Sequence, residues 1–270
     1  MSITRCCRLF GVTRAGDDAW RGRPLSVHAQ QDRVVTTQIQ RVFAAHDGRY
    51  GSPRVSQALQ GEGVIVSRRR VARLMRAAGL RGKAVRGYRG RVGVHRFYEQ
   101  HPNRIRRTVP TACNQIWVGD ITYLAVAGRW RDLAVIMDQY SRRVLAWALR
   151  RRRDASVTRA VLNAAVGRRA PPAGLIFHSD RGSEDLAEQF RDRLRHFGIL
   201  QSANQRGPED NAHMESFFHT LKAETTRGVV FAADGPLREL LQRYFRYYNH
   251  ERLHSALGYQ SPVAFEGLAA

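Results

Sequence analysis

Cysteine and lysine are scarce in this chain. Its 270 residues include 3 cysteines: Cys6 beside Cys7, and Cys113 alone. No Cys-x-x-Cys pair or matching histidine pair is present, which excludes a disulfide-stapled scaffold and a zinc-ribbon framework. The thiols read as small buried hydrophobes. Lysine occurs only as Lys83 and Lys222, so nearly all of the 45 basic side chains are arginine. No apolar run approaches the roughly eighteen residues that a membrane span needs. Arg5-Cys6-Cys7-Arg8 interrupts the start of the chain, where a secretory signal would place its apolar segment. A cytoplasmic protein with no membrane association is the expectation.

Acidic residues are also short, 23 against 45 basic, for a formal net charge of +22. The imbalance is uneven. Residues 1–112 carry 23 basic and 6 acidic side chains (23 − 6 = +17), and residues 113–270 carry 22 and 17 (22 − 17 = +5). A basic front of this kind is the electrostatic footprint of a nucleic-acid binder. Residues 2–20 read as a short helical segment, a turn at Gly11, and half of a helix-turn-helix. Residues 36–45 have an amphipathic helical pattern. Tyr50-Gly51-Ser52-Pro53-Arg54 opens another helix, 61–63 turn the chain, and Ser67 caps a second helix that Gly79 ends. That second helix carries Arg68, Arg69, Arg70, Arg73 and Arg76, and a helix so placed lies in the major groove of DNA. Residues 80–112 are rich in Gly and Arg with little periodicity, the composition of a basic linker. The expected plan is a helical DNA-binding region over 1–79, this linker over 80–112, and a catalytic core over 113–270.

Three acids in that last part stand in suggestive places. Asp120 lies within Ile116–Val126, a run dominated by β-branched and aromatic residues that ends at a Gly128 turn and reads as a strand. Asp180 follows a second apolar run, GLIFH at 174–178, and Arg181-Gly182 then takes the chain out of the sheet. Glu215 follows after 215 − 180 = 35 residues, on a helix where Asn211, Glu215, His219 and Lys222 share one side and Met214, Phe217, Phe218 and Leu221 the other. Acids in apolar strands are costly unless they are paired or bind a metal. Carboxylates from separate elements suit hard divalent ions, and two such ions clamp the attacking and leaving oxygens of a phosphodiester. Lys222, about two turns beyond Glu215, is placed to hold a DNA phosphate. Asp138 reads as a turn or salt-bridge residue beside Ser141, Arg142 and Arg143, and Asp210 as the helix N-cap. His178 and His219 read as surface or supporting residues.

WVGDITY (117–123), HSDRGS (178–183), DNAHMESFFHTLKAE (210–224) and YYNHERLHSALGYQSP (247–262) together resemble the second-reading-frame (OrfB) transposases of IS-three-type insertion sequences, within the DDE, or retroviral-integrase, superfamily. The resemblance implies an RNase-H-like integrase core, a mixed five-stranded sheet flanked by helices, behind a helix-turn-helix-like region. It implies that Asp120, Asp180 and Glu215 are catalytic and hold two Mg²⁺ or Mn²⁺ ions for cleavage and strand transfer at insertion-sequence ends. Its partners would be transposon-end and target DNA, further copies of itself in a synaptic homo-oligomer, and the upstream-frame (OrfA) product or a fusion with it. Two departures stand out. Glu184-Asp185 replace a polar and an aromatic residue, and Asp17-Asp18 stand where the family has aromatics.

The remaining pattern fits an α/β layer. Residues 131–139 and 143–149 read as strands in hairpin succession, 154–166 as a helix capped by Asp154, 186–197 as an amphipathic helix with Leu186, Phe190, Leu194 and Phe197 on one stripe, and 199–202 as a last strand. Tyr244, Phe245, Tyr247 and Tyr248 read as core. Two rivals share part of this evidence. A catalytically silent DNA-binding regulator of transposition would keep the basic front without needing all three acids. A cellular RNase-H-like nuclease would have the acids without the basic helical front.

Overall fold

The computed structural model describes residues 2–83, 103–105, 108–151, 155–180, 188–203 and 211–269, in two compact units that divide after Lys83. In the first unit, α1 (Ile3–Leu9) and α2 (Arg14–Arg21) meet across the turn at Gly11, which takes φ 65°. Thr13 caps α2 by accepting from the Gly16 amide, and Asp17 pairs with Arg21 one turn on. The main helices are α3 (Val27–Ala45), α4 (Ser52–Gly61) and α5 (Arg68–Ala77), packed around Ile39, Val42, Tyr50, Val55, Leu59, Val71, Leu74 and Met75. α3 begins nine residues before the amphipathic stretch at 36–45. Its first turns are mostly exposed, so no apolar stripe marks them, and Ser26 starts the helix by accepting from the Ala29 amide. Ser67 caps α5 in the same way, through the Arg70 amide.

This unit continues past Gly79. Lys83 donates its amide to the Gly48 carbonyl, and a Cβ at Gly82 would meet the Gly51 nitrogen at 2.7 Å. Glycine is required there because the backbone passes directly over the start of α4. The residues up to Lys83 therefore pack with the helices, whereas 84–102 of the expected linker lie outside the described residues.

The second unit is built on a sheet of β1 (Ile116–Val126), β2 (Arg129–Asp138), β3 (Val144–Arg150), β4 (Ile176–Ser179) and β5 (Leu200–Ala203), in the order β3-β2-β1-β4-β5. β1, β2 and β3 are antiparallel neighbours, and β4 and β5 run parallel to β1. Ala127 and Gly128 make the β1–β2 turn with φ 48° and 71°, the two positive values that suit the twist of a two-residue hairpin. α6 (Ala155–Arg169) and α7 (Glu188–His196) cover one face, burying Trp117, Ala134, Ile136 and Ala146 against Val161, Leu162, Phe190 and Leu194. Phe197 packs on that cluster as the stripe predicts, while Asp154 and Leu186 lie outside the described residues.

Trp147 alternates with Ala146 and so faces the other way. There it meets Phe245 of α9 (Asp234–His250), whose ring also stacks on Phe217 of α8 (Ala212–Leu221). Tyr244, Phe245, Tyr247 and Tyr248 are all buried, as expected. α10 (Pro262–Ala269) folds back onto the sheet end, where Glu266 accepts from Ser141, Arg143 and Arg169.

Candidate active site

Strand register brings the first two acids together. β1 and β4 pair in parallel up to Gly119 opposite Ser179, so Asp120 and Asp180 are the next residue on each of two adjacent strands. Neighbouring strands lie about 4.8 Å apart. Gly119 permits this approach, because the Phe177 ring of β4 stands 2.5 Å from where a Cβ at 119 would be. Both carboxylates are half-buried, and Asp120 Oδ1 accepts from the Ile121 amide at 2.7 Å.

Glu215 approaches from α8. Met214, Phe217, Phe218 and Leu221 are buried at helical spacing and fix the helix against the core. Asn211 begins the helix and donates from its side-chain amide to the Gly119 carbonyl at 3.4 Å, which ties α8 to β1 beside Asp120. Glu215 follows four residues later on the same side of the helix and is exposed. Among the described residues, no three His, Cys, Asp or Glu side chains close into a ready metal cage. Asp120 and Asp180 follow the last parallel pairing of adjacent strands, and Glu215 is exposed on α8.

Asn211 is a site residue that the sequence reading treated only as part of a helical pattern. Asp210, expected as the N-cap, lies outside the described residues, and the cap position belongs to Asn211, which makes no side-chain cap bond. Its side chain is spent on β1. Asn211 Oδ1 and Ser179 Oγ are both buried without a hydrogen-bond partner among the described residues. The carboxylates of Asp120 and Asp180 are oxygen donors of the kind hard divalent cations take. Lys222 caps the far end of α8 and is half-buried. Burial lowers the pKa of its ammonium below the ordinary value while the nearby Asp120 carboxylate opposes the change.

The other candidates separate cleanly. Asp138 is fully buried and accepts from the backbone amides of Asn114, Tyr140 and Ser141 at 2.7, 2.9 and 3.0 Å. Burial raises its pKa and those amides work against the rise, so it is a turn residue as its context suggested. His178 is buried on β4, its Nδ1 2.9 Å from Ser202 Oγ, which also accepts from the Arg104 amide. The hydrogen bond between His178 and the Ser202 hydroxyl ties β4 to β5 just before Asp180. His219 is half-buried. Glu184 and Asp185 lie outside the described residues.

The arginines of α5 divide into two groups. Arg70 and Arg73 bond Asp32 of α3 at 2.8 and 2.7 Å, and hydrogen bonding from Arg73 is the main reason the Asp32 carboxyl lies below its usual pKa. These two fasten α5 to α3. Arg68, Arg69 and Arg76 are exposed.

An integrase core domain model matches residues 110–208, a second of the same description matches 198–262, and an HTH-like domain model matches 29–88. The uncharacterized 31 kDa protein of insertion element IS600 from Shigella sonnei is 36% identical over 262 residues, 96% of each chain. Transposase InsF for insertion sequence IS3A from Escherichia coli (strain K12) is 32% identical over 275 residues, 98% of this chain and 94% of that one. The solved simian T-cell lymphotropic virus intasome, in complex with PP2A regulatory subunit B56 gamma, is similar with a TM-score of 0.50 at 18% identity, over 63% of this chain and 60% of that one, a likeness of fold. With identity of this order along nearly its whole length, the chain belongs to the IS3-type family of insertion-sequence transposases, an integrase core carried behind an HTH-like domain.

Proposed function

We propose that this protein carries out DNA transposition as a polynucleotidyl transferase, cutting and joining DNA at insertion-sequence ends with Asp120, Asp180 and Glu215 as its metal-holding acids. The observation that carries the reading is the β1–β4 register, which sets two half-buried carboxylates side by side where the parallel ladder ends. Asp120 and Asp180 supply oxygens from the sheet, and Glu215 supplies the third carboxylate from α8. Two divalent ions bound there, Mg²⁺ or Mn²⁺, would activate water or a 3′-hydroxyl as nucleophile and stabilise the leaving oxygen. Lys222 holds a phosphate of the DNA strand next to the acids. The ordered backbone at Gly119 and the Asn211 tether keep the strand and helix carboxylates in one neighbourhood before substrate arrives.

Arg68, Arg69 and Arg76 of α5 contact DNA in this reading, and Arg70 and Arg73 shape the helix that presents them. The substrates are transposon-end and target DNA, brought together by a homo-oligomer with the upstream-frame product (OrfA), either separate or fused. The test is purified protein with that product on labelled terminal-repeat DNA in Mg²⁺ or Mn²⁺. Nicking and strand transfer are expected, and are lost in Asp120→Asn and Glu215→Gln. DNA binding without chemistry in any variant would instead favour a silent regulator.

A further inference from the structure

The tip of the β1–β2 hairpin carries two exposed aromatic rings that play no part at the acids. Trp130 is 65% exposed and Tyr123 42%. In the strand register Tyr123 lies opposite Asp132 and Trp130 opposite Ala125, so the two are diagonal neighbours on one face. Their rings meet edge to face with centroids 6.5 Å apart. Further along, the same face is covered by α6 and α7, which pack over Ala134 and Ile121. A diagonal ring contact steadies a hairpin, but it accounts only for the sides that the rings turn to each other. Most of the Trp130 indole still lies in water, where apolar surface is unfavourable.

The tip is firmly held. The Ala127 amide donates to the Phe231 carbonyl at 2.7 Å, and Asp234 of α9 pairs with Arg131 at 2.5 Å and Arg151 at 2.9 Å. Rings on so fixed a base lose little freedom when a ligand lies on them. The charge around them has one sign. Residues 121–131 contain two arginines and no acid, and Arg150 begins a run of four arginines, 150–153. Arg129 and Arg150 are exposed. Arg150 shares a cross-strand row with Tyr123, and Asp132 between them is buried.

Exposed aromatics among arginines, with no exposed carboxylate in the hairpin, fit a polyanion that also carries flat rings, which is a nucleic-acid strand. A second copy of this chain fits poorly, because a symmetric contact sets the same arginines against each other. Paired bases keep their faces in the stack and offer only their edges to the grooves, so a base that lies on Trp130 is unpaired. We propose that Tyr123 and Trp130 form a stacking platform for an unpaired base of a DNA strand, with Arg129 and Arg150 on its phosphates. Tyr123 stands three residues beyond Asp120, about 10 Å along β1 and on its opposite face. That the DNA is an insertion-sequence end rests on the transposition reading; the stacking does not.

Of the 4 tryptophans, Trp20 and Trp130 are exposed, Trp147 is half-buried and Trp117 is buried. Full-length protein carrying Trp20→Phe therefore leaves Trp130 as the one exposed emitter. Single-stranded oligothymidylate is expected to quench that emission, and a fully paired duplex of the same length is not. Adding Trp130→Ala should abolish the quench and weaken oligothymidylate binding about 5-fold or more, with duplex binding and its salt dependence little changed. Trp130→Phe should recover most of the affinity, and Tyr123→Ala should lose part of it. Oligothymidylate that fails to bind, or binds without quenching, overturns the platform, and this is read without altering Trp130. Equal losses for oligothymidylate and duplex overturn it too, since they mark a general change of charge or fold. So does a Trp130→Ala protein that changes its sedimentation but not its affinity for oligothymidylate, which would make the face a contact between copies. Quenching in a wild type that performs no strand transfer sinks the transposition reading and leaves the platform standing; strand transfer without quenching does the reverse.

Discussion

Asp120 and Asp138 stand on paired strands and spend their carboxylates differently. Asp138 is consumed by three backbone amides, two in the β2–β3 turn and that of Asn114 ahead of β1, whereas Asp120 sits half-buried beside Asp180 at the end of a parallel ladder. Asp120→Asn should therefore melt within a degree or two of wild type and lose strand transfer. Asp138→Ala should cost about 3 kcal/mol, because it strands several buried donors, and should lose activity only as far as it loses fold. Thermal melting beside the DNA assay separates the two.

Glu266 gives a pH signature at the same scale. Burial would raise its pKa, but hydrogen bonds from Arg169, Ser141 and Arg143 outweigh that and hold it below the usual carboxylate range. A depressed carboxyl contributes stability above its unfolded pKa of about 4.3 and loses it as pH falls through the lower folded value. Glu266→Gln should lower the melting temperature at pH 7 and flatten the fall in stability below about pH 4.3. Melting curves from pH 3 to 7 measure both effects. Asp120 and Asp180 were identifiable in the sequence because acids at strand positions are expensive. Asn211 was not, because a polar residue at a helix start is ordinary until its bond to the Gly119 carbonyl is known.

At the scale of the element, α5 shows where charge and function part. Its five arginines look equivalent in sequence, and only the position of Asp32 on the neighbouring helix distinguishes them. Arg68→Ala, Arg69→Ala and Arg76→Ala should each reduce the slope of log affinity for DNA against log salt by about 0.9, one phosphate contact apiece. Arg73→Ala should instead lower the melting temperature of the helical unit. Salt titrations of binding on each variant test this, and an unchanged slope for all three exposed arginines would remove α5 from the interface.

Strand elements were readable for a related reason. Runs such as 116–126 and 174–178 are β-branched, apolar and bounded by glycine. The π-helical turn at Lys222–Thr226 was hidden, since KAETT continues a helical pattern smoothly. The partners of its central Glu224, Tyr244 and Arg252, lie 20 and 28 residues further along. The start of α3 was hidden for the opposite reason, because an exposed helix need not display a stripe.

For the whole molecule, the chain divides into two compact units after Lys83, whereas the charge contrast in the sequence, +17 against +5, was drawn at residue 112. The boundary was placed early, at 79, because a Gly after a helix looks like an ending. Gly82 and Lys83 show that the backbone still has contacts to make. A fragment of residues 1–83 should melt cooperatively and at higher temperature than one of 1–79, as calorimetry of the two would show. The strand order was less accessible, since it depends on pairings between segments 60 residues apart in sequence, as Asp120 and Asp180 are (180 − 120 = 60).

The unequal lengths of the central strands have one more effect. β1 has 11 residues and β4 has 4, so among the described residues β1 runs on past its last parallel pairing at Gly119 as far as Val126. The sheet has a step, and the two carboxylates occupy its lip, with about 20 Å of strand rising beyond them. A β4 longer by two residues would carry Asp180 into the interior of the ladder, paired on toward Ile121. In this sheet, the shortness of β4 is what leaves Asp180 at a strand end.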